Sequence, residues 1–247
     1  MKLRMLSFVL LLVGLMSWSA TAQAALISGW DFDPLTGGAG DFGPSPYAPI
    51  SSDPNVLAGG LTRHWTLGTG TGAMNAWGGN NFNTTSPDFD SAVSNNNFAT
   101  FTIQANPGYT VSLSDIAAYN VRRSGTGPTT GRWQYQIDAG SFFDITSDIA
   151  WGGTTSSAGN AQAAIVLSGI NALQNVADSS VITLRVVTWG ATSTGGTWYL
   201  NDPTGTPGID FAVNGNAVPE PGTMTLLGLG FVSIVGVRLV RRRRKLA

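Results

Sequence analysis

Several windows of the chain alternate apolar and polar residues with period two. In Phe98–Ile103 the apolar positions Ala99, Phe101 and Ile103 share one side, as do Tyr109, Val111 and Leu113, and Trp133, Tyr135 and Ile137 within Arg132–Asp138. Successive side chains of a strand point to opposite faces, so this alternation predicts half-buried β-strands. Leu26–Phe32, Ile116–Arg123, Ala163–Leu167, Val181–Trp189, Thr197–Leu200 and Ile209–Val213 add further strand candidates, while Asp138-Ala-Gly-Ser141 and Gly190–Gly196 are expected hairpin turns. About nine short strands between glycine-rich turns point to an all-β, jelly-roll-like two-sheet β-sandwich. Residues 37–97 are poor in periodic stretches and rich in Gly, Pro, Ser and Asn, which predicts long surface loops, partly mobile or laid on the sandwich. No internal repeat of about 20 to 50 residues marks a solenoid or propeller.

The two ends break this pattern. Lys2 and Arg4 precede the apolar run Met5–Trp18, and Ala22-Gln23-Ala24 offers the small-x-small pattern of a signal peptidase site. Residues 1–24 are therefore expected to be a secretory signal peptide, with the mature chain starting at Ala25. At the other end stand Val218-Pro219-Glu220-Pro221-Gly222, an apolar stretch from Thr223, then Arg238, Arg241, Arg242, Arg243, Arg244 and Lys245. Residues 223–240 carry one charge, Arg238. As a helix rising about 1.5 Å per residue they reach about 27 Å, just short of an apolar bilayer thickness of about 30 Å. A single transmembrane helix over about 223–240 is expected, its basic end 241–245 in the cytoplasm under the positive-inside rule and the preceding domain outside the inner membrane. Pro219 and Pro221 stop a regular helix, and Glu220 suits the positive end of the helix dipole that follows.

Pro-Glu-Pro, a short apolar run and an arginine cluster, in that order, resemble the PEP-CTERM sorting tail of Gram-negative bacterial surface proteins, also described as an ice-binding protein C-terminal domain. The resemblance covers residues 218–247 and implies an exosortase, a membrane-embedded cysteine peptidase, as processing partner. It also implies inner-membrane anchoring before processing and a place on the cell surface or in the extracellular matrix afterwards. A plain single-pass anchor, its prolines only a helix stop, is the ordinary alternative. Tyr109–Leu113, Val121–Pro128, Gly131–Asp138 and Leu184–Trp198 resemble the ectodomain of many PEP-CTERM proteins. That likeness implies a fold akin to carbohydrate-binding jelly rolls and no common ligand. Where related chains close with a Trp-x-Leu/Ile-Asp strand, Pro203–Gly208 is inserted here before Ile209-Asp210-Phe211.

Removing both ends changes the charge. Between Ala25 and Ala217 the basic residues are Arg63, Arg122, Arg123, Arg132 and Arg185, against thirteen aspartates and no glutamate, so five minus thirteen gives −8. Nucleic-acid binding relies on phosphate neutralisation by Lys and Arg, so nucleic acid is not an expected partner. The chain has no cysteine, so an oxidising compartment adds no disulfide to its stability. Residues 25–217 are enough for one all-β domain with a substantial core.

Catalytic chemistry finds little to build on. His64 is the sole histidine, which leaves no histidine-rich zinc site and one residue on which to build a Ser-His-Asp triad. Asp31 with Asp33 and Asp88 with Asp90 are the nearest carboxylate pairs for glycoside hydrolysis, but two residues apart on a strand they point the same way; surface or turn capping is the simpler role. No EF-hand spacing is present and no metal ligands are assigned, although aspartates and loop carbonyls suit a structural calcium. For binding, Trp65, Trp77, Asn80 and Asn81, with Asn75 and Asn83 nearby, are candidates for an exposed glycan platform, since sugar rings lie on aromatic planes while Asn and Asp bond the hydroxyls. Trp133 belongs to a strand's apolar face and is expected in the core, and Trp189 and Trp198 fit either role. The expected function is a non-enzymatic structural or glycan-binding component of the exopolysaccharide matrix. A secreted polysaccharide-acting hydrolase is the alternative and ice binding the third, although Thr69-Gly-Thr71 alone makes no regular threonine rank.

Overall fold

The computed structural model describes residues 25–85 and 87–220. The signal peptide expected at 1–24, with Ala22 and Ala24, and the helix and basic tail expected from 223 lie outside the described residues. Among those described, no helix is long and apolar enough to cross a membrane.

The domain is all-β and sandwich-like, its strands paired in antiparallel fashion. With strands numbered along the chain, one sheet runs β15 (Ile165–Val166), β9 (Tyr109–Ile116), β19 (Phe211–Pro219), β1 (Ala25–Trp30), β3 (Ser51–Ser52), with β16 (Val176–Ala177) also on β9. A second runs β12 (Phe143–Asp144), β11 (Thr130–Ile137), β17 (Ile182–Trp189), β8 (Phe98–Ala105), β4 (Val56–Ala58), with β13 (Ile149–Ala150) beside β11 and β5 (Thr62–Arg63) beside β8. A third holds β14 (Asn160–Gln162), β10 (Tyr119–Arg123), β18 (Trp198–Asn201) and β7 (Ala76–Gly79), while β2 (Gly38–Ala39) and β6 (Thr71–Gly72) form a small ribbon.

The period-two windows became strands with the expected inward faces: Ala99, Phe101, Ile103 and Ala105 of β8 are all buried, alternating with half-buried partners. Trp133 from β11 stacks on Phe211 from β19 at 5.8 Å, and its indole N–H donates to the Tyr119 hydroxyl of β10 at 2.9 Å. Three sheets therefore meet at one aromatic cluster, completed by Trp30 and Phe101 at 5.0 Å. Each such ring removes about 150 to 250 Å² from water, which makes this cluster the chief apolar tie between the layers.

Several expectations are corrected. The segment Gly190–Gly196 is not a hairpin, because β17 pairs with β11 and β8 whereas β18 pairs with β10 and β7; it carries the chain from one sheet to another. The predicted strand 116–123 is interrupted at Ala117 and Ala118, dividing β9 from β10. Residues 37–97 are not merely a surface cover: they supply β2 to β7 and the buried Phe42, Leu61, Trp65, Trp77 and Phe82. They also hold a helix, α1 (Phe89–Ser94), opened by a capping box in which the Asp88 carboxylate accepts from Ser91 N–H and the Ser91 hydroxyl serves the Asp88 N–H. Ala92 of α1 packs on Val187 and Trp189.

The closing strand is longer than expected. β19 lies between β9 and β1 over its first half and continues along β9 to Pro219. The inserted residues 203–208 lie in the loop 202–210 between β18 and β19.

Candidate functional site

Two regions carry the functional signals: the end of β19 and a hollow beside Trp65.

At the end of β19, Val218 pairs with Thr110 and Pro219 with Tyr109, and the Glu220 N–H donates to the Gly108 carbonyl at 2.9 Å. Pro219 has no N–H to give to a ladder, and here it occupies the last strand position, where proline is tolerated. The first three residues of Val218-Pro219-Glu220-Pro221 are thus seated on the folded domain, leaving Pro221 and Gly222 before the apolar run.

The candidate platform is divided by the fold. Trp77, on β7, is fully buried, its indole N–H donating to the Pro44 carbonyl at 2.7 Å. Trp65 is 5% exposed and packs on Phe82 at 4.9 Å. Asn80 is also buried: its carboxamide accepts from Gly68 N–H and donates to the Thr69 carbonyl, bracing the turn between them. No exposed pair of coplanar tryptophans exists at these positions, because the loops of residues 37–97 fold their aromatics inward. Asn81 differs. It is exposed, takes a left-handed backbone with φ 67°, and donates from Nδ2 to the Thr66 carbonyl at 2.9 Å.

Trp65 and Asn81 do share a hollow of about 400 Å³, together with Thr66, Asn83, Asn97 and Thr194. Its wall is mainly amide and hydroxyl groups over an aromatic floor, with no charged side chain lining it. Such a surface offers donors and acceptors of the kind that polyhydroxyl ligands use. Asn97 and Thr194 escaped sequence reasoning: Asn97 directly precedes β8, and Thr194 lies in the segment that crosses between sheets. The Asn81 N–H donates to the Thr194 carbonyl at 2.7 Å, which fixes that crossing segment as one wall.

The other candidates take structural places. His64 bonds Thr100 Oγ1 through Nε2 at 2.8 Å and lies on the Phe98 ring at 4.7 Å. Burial, and then the Arg185 charge, hold its imidazole below the ordinary value, so it is neutral at pH 7. Asp88 caps α1. Trp133 and Trp198 are core residues, and Trp189 is buried under Phe89 of α1. Asp31 and Asp33 belong to an acidic group around the inserted loop. Asp31 accepts from the N–H of Asp33 at 2.9 Å and of Gly208 at 3.4 Å, and Asp210 accepts from Phe32 N–H at 2.7 Å. Burial pushes the Asp210 carboxyl up to about 6 against the pull of the Phe32 bond, with the charges of Asp202, Asp31 and Asp33 adding to the rise.

The antiparallel β-domain thus runs straight into the proline-flanked segment at the end of β19. Residues 217–244 match the model of the PEP-CTERM protein-sorting motif, so the chain is a PEP-CTERM sorting domain-containing protein. That motif implies an exported, membrane-anchored precursor processed by an exosortase. Comparison with curated proteins and with solved structures gave no match for the chain.

Proposed function

We propose that this protein is a non-enzymatic structural or glycan-binding component of the exopolysaccharide matrix of a Gram-negative bacterium, released to that place by exosortase cleavage of its tail. The observation that carries the reading is the sorting motif at 217–244, which sends the preceding domain outward. A jelly-roll arrangement of the sandwich accords with it. The amide- and hydroxyl-lined hollow of Trp65, Asn81 and Thr194 is the surface that supports glycan binding.

The test has two arms. Replacing Pro219, Glu220 and Pro221 together by alanine should leave the full-length precursor in the inner-membrane fraction, while the unaltered chain is shortened and leaves it. The protein as exported should bind the producing cell's exopolysaccharide saturably without generating new reducing ends, and Asn81→Ala with Thr194→Ala should weaken that binding at least about tenfold, the scale of roughly 1.4 kcal/mol. New reducing ends would establish the hydrolase instead. A tail that stays attached in cells with an active exosortase would overturn the sorting half.

A further inference from the structure

Asp202 is 2% exposed, and its Oδ2 is wholly buried without a hydrogen-bond partner among the described residues. Its other oxygen, Oδ1, accepts from both the Thr204 N–H and the Thr204 hydroxyl at 2.7 Å, so the carboxylate is held rigidly with one oxygen unserved. The neighbouring Asn201 repeats the pattern: Nδ2 donates to the Ser157 carbonyl at 2.8 Å, while the buried Oδ1 accepts nothing. A buried acceptor left without a donor is destabilising, and more so when charged.

Asn201 and Asp202 are among the residues lining a cleft of about 400 Å³ between the β10/β14 surface and the loop 203–210, which Asp210 also lines. Asp31, Asp33, Asp202 and Asp210 lie close enough that the last feels the charge of the other three. Among the described residues both salt bridges belong to Arg132 on β11, with Asp144 and Asp148; none serves this group. Four carboxylates without a salt bridge among the described residues, and one carboxylate oxygen buried and unserved, are an excess of hard oxygen acceptors.

We propose that this loop holds a calcium ion, with Asp202 as its anchoring ligand and Asp210, Asp31 and Asp33 as the acidic residues from which the remaining carboxylate ligation is drawn. The proposal stands apart from the glycan reading and from the fate of the tail. Calcium takes six to eight oxygens in flexible geometry and accepts carbonyls, amide oxygens and water beside carboxylates. That flexibility matters, since among the described residues no three His, Cys, Asp or Glu side chains already stand in metal-holding reach of one another; the ion would draw the half-buried Asp210 or Asp33 toward Asp202. The consequence is mechanical. Asp210 already ties the loop to the end of β1, its N–H donating to the Trp30 carbonyl at 2.9 Å and its carboxylate accepting from Phe32 N–H, and an ion bridging it to Asp202 closes the two ends of the insertion onto each other.

The protein as exported would be stripped with EGTA, then titrated with calcium or magnesium chloride, following bound metal by atomic absorption after gel filtration and the melting temperature in parallel. About one calcium per chain, in the sub-millimolar to millimolar range usual for extracellular modules, is expected, with a rise in melting temperature of about 3 to 6 °C at saturation and little response to magnesium. Asp202→Asn should abolish uptake and rise together, while Asp88→Asn, away from the loop, should keep both. Should Asp202→Asn fail to fold, Asp33→Asn supplies the test through affinity weakened at least about tenfold. Wild-type protein that takes up no calcium, or an Asp202→Asn or Asp33→Asn variant that binds it as the wild type does, overturns the proposal. So does an Asp202→Asn variant that melts higher than the stripped wild type with calcium affecting neither, because the orphaned carboxyl is then simply a buried, protonated acid.

Discussion

The Arg63 guanidinium lies 4.9 Å over the ring of Trp77, and its Nη2 donates to the carbonyls of Phe42 and Gly43 at 2.8 and 2.7 Å. Arginine, tryptophan and loop carbonyls thus strap the segment 42–44 onto β7. Burial lowers the arginine's pKa to about 10, so it keeps its charge at pH 7. Trp77→Ala should cost about 3 to 5 kcal/mol of stability, measured by urea unfolding, because a fully buried indole and its strap are both lost. Binding by the folded fraction should be unchanged. A tryptophan serving as a sugar platform would give the reverse pattern, with binding lost and stability kept.

Gly131 on β11 is demanded by a close approach. A β-carbon there would stand 1.9 Å from Trp151 Cζ2, and the Trp151 ring is fixed by its N–H bond to Thr188 Oγ1 at 3.0 Å. Gly131→Ala should therefore destabilise by about 1 to 3 kcal/mol, or more if the ring cannot move. Gly153, where an added β-carbon meets nothing within 4 Å, is the control, and its alanine variant should melt within a degree or two of the wild type.

Asp210 gives the calcium-free domain a pH dependence of definite sign. Its folded-state pKa, about 6, lies above the ordinary 3.8. The folded state therefore holds this proton more tightly than the unfolded chain, and the associated stability is complete below about pH 4 and is lost as pH rises through about 6. The group is half-exposed, so solvent screening reduces the effect to about 1 kcal/mol. Unfolding in EGTA should show lower stability at pH 7.5 than at pH 5 from this group, and Asp210→Asn should flatten that slope, since the amide oxygen can still accept from Phe32.

The capping box of α1 separates two aspartates that look alike in sequence. Asp88 holds the Ser91 N–H at 2.8 Å, and this bond, aided by the Ser91 hydroxyl, keeps its carboxyl below the usual value. Asp90 sits exposed in the first turn. Asp88→Ala should raise hydrogen exchange at Ser91 and Ala92, whereas Asp90→Ala should leave it nearly unchanged.

The end of β19 bears on how the tail is presented. Because Glu220 N–H is bonded to the Gly108 carbonyl at 2.9 Å, its amide should exchange more slowly in the precursor than in a short peptide of the same sequence. Fast, peptide-like exchange at Ala217, Val218 and Glu220 would show that the strand releases the motif before processing.

Much of this molecule was legible locally. The inward faces of β8, β9 and β11 follow from the alternation of Ala99, Phe101 and Ile103, of Val111 and Leu113, and of Trp133 with its neighbours, because strand geometry converts position directly into face. The sorting tail was legible for a similar reason: Pro-Glu-Pro, apolar length and basic cluster are properties of contiguous residues. Tertiary structure alone decided that Trp65 and Trp77 lie inside, that Gly190–Gly196 changes sheets, that Asp202 is buried beside Asp210, and that Val218 and Pro219 continue β19 along β9. The deciding partners are distant in the chain: Arg63 and Pro44 for Trp77, β10 and β7 for β18, Asn75 for Asp202, Thr110 and Tyr109 for the motif. Period and composition report how a residue relates to its immediate neighbours, whereas burial in a loop-rich segment depends on which remote strand the chain is folded against.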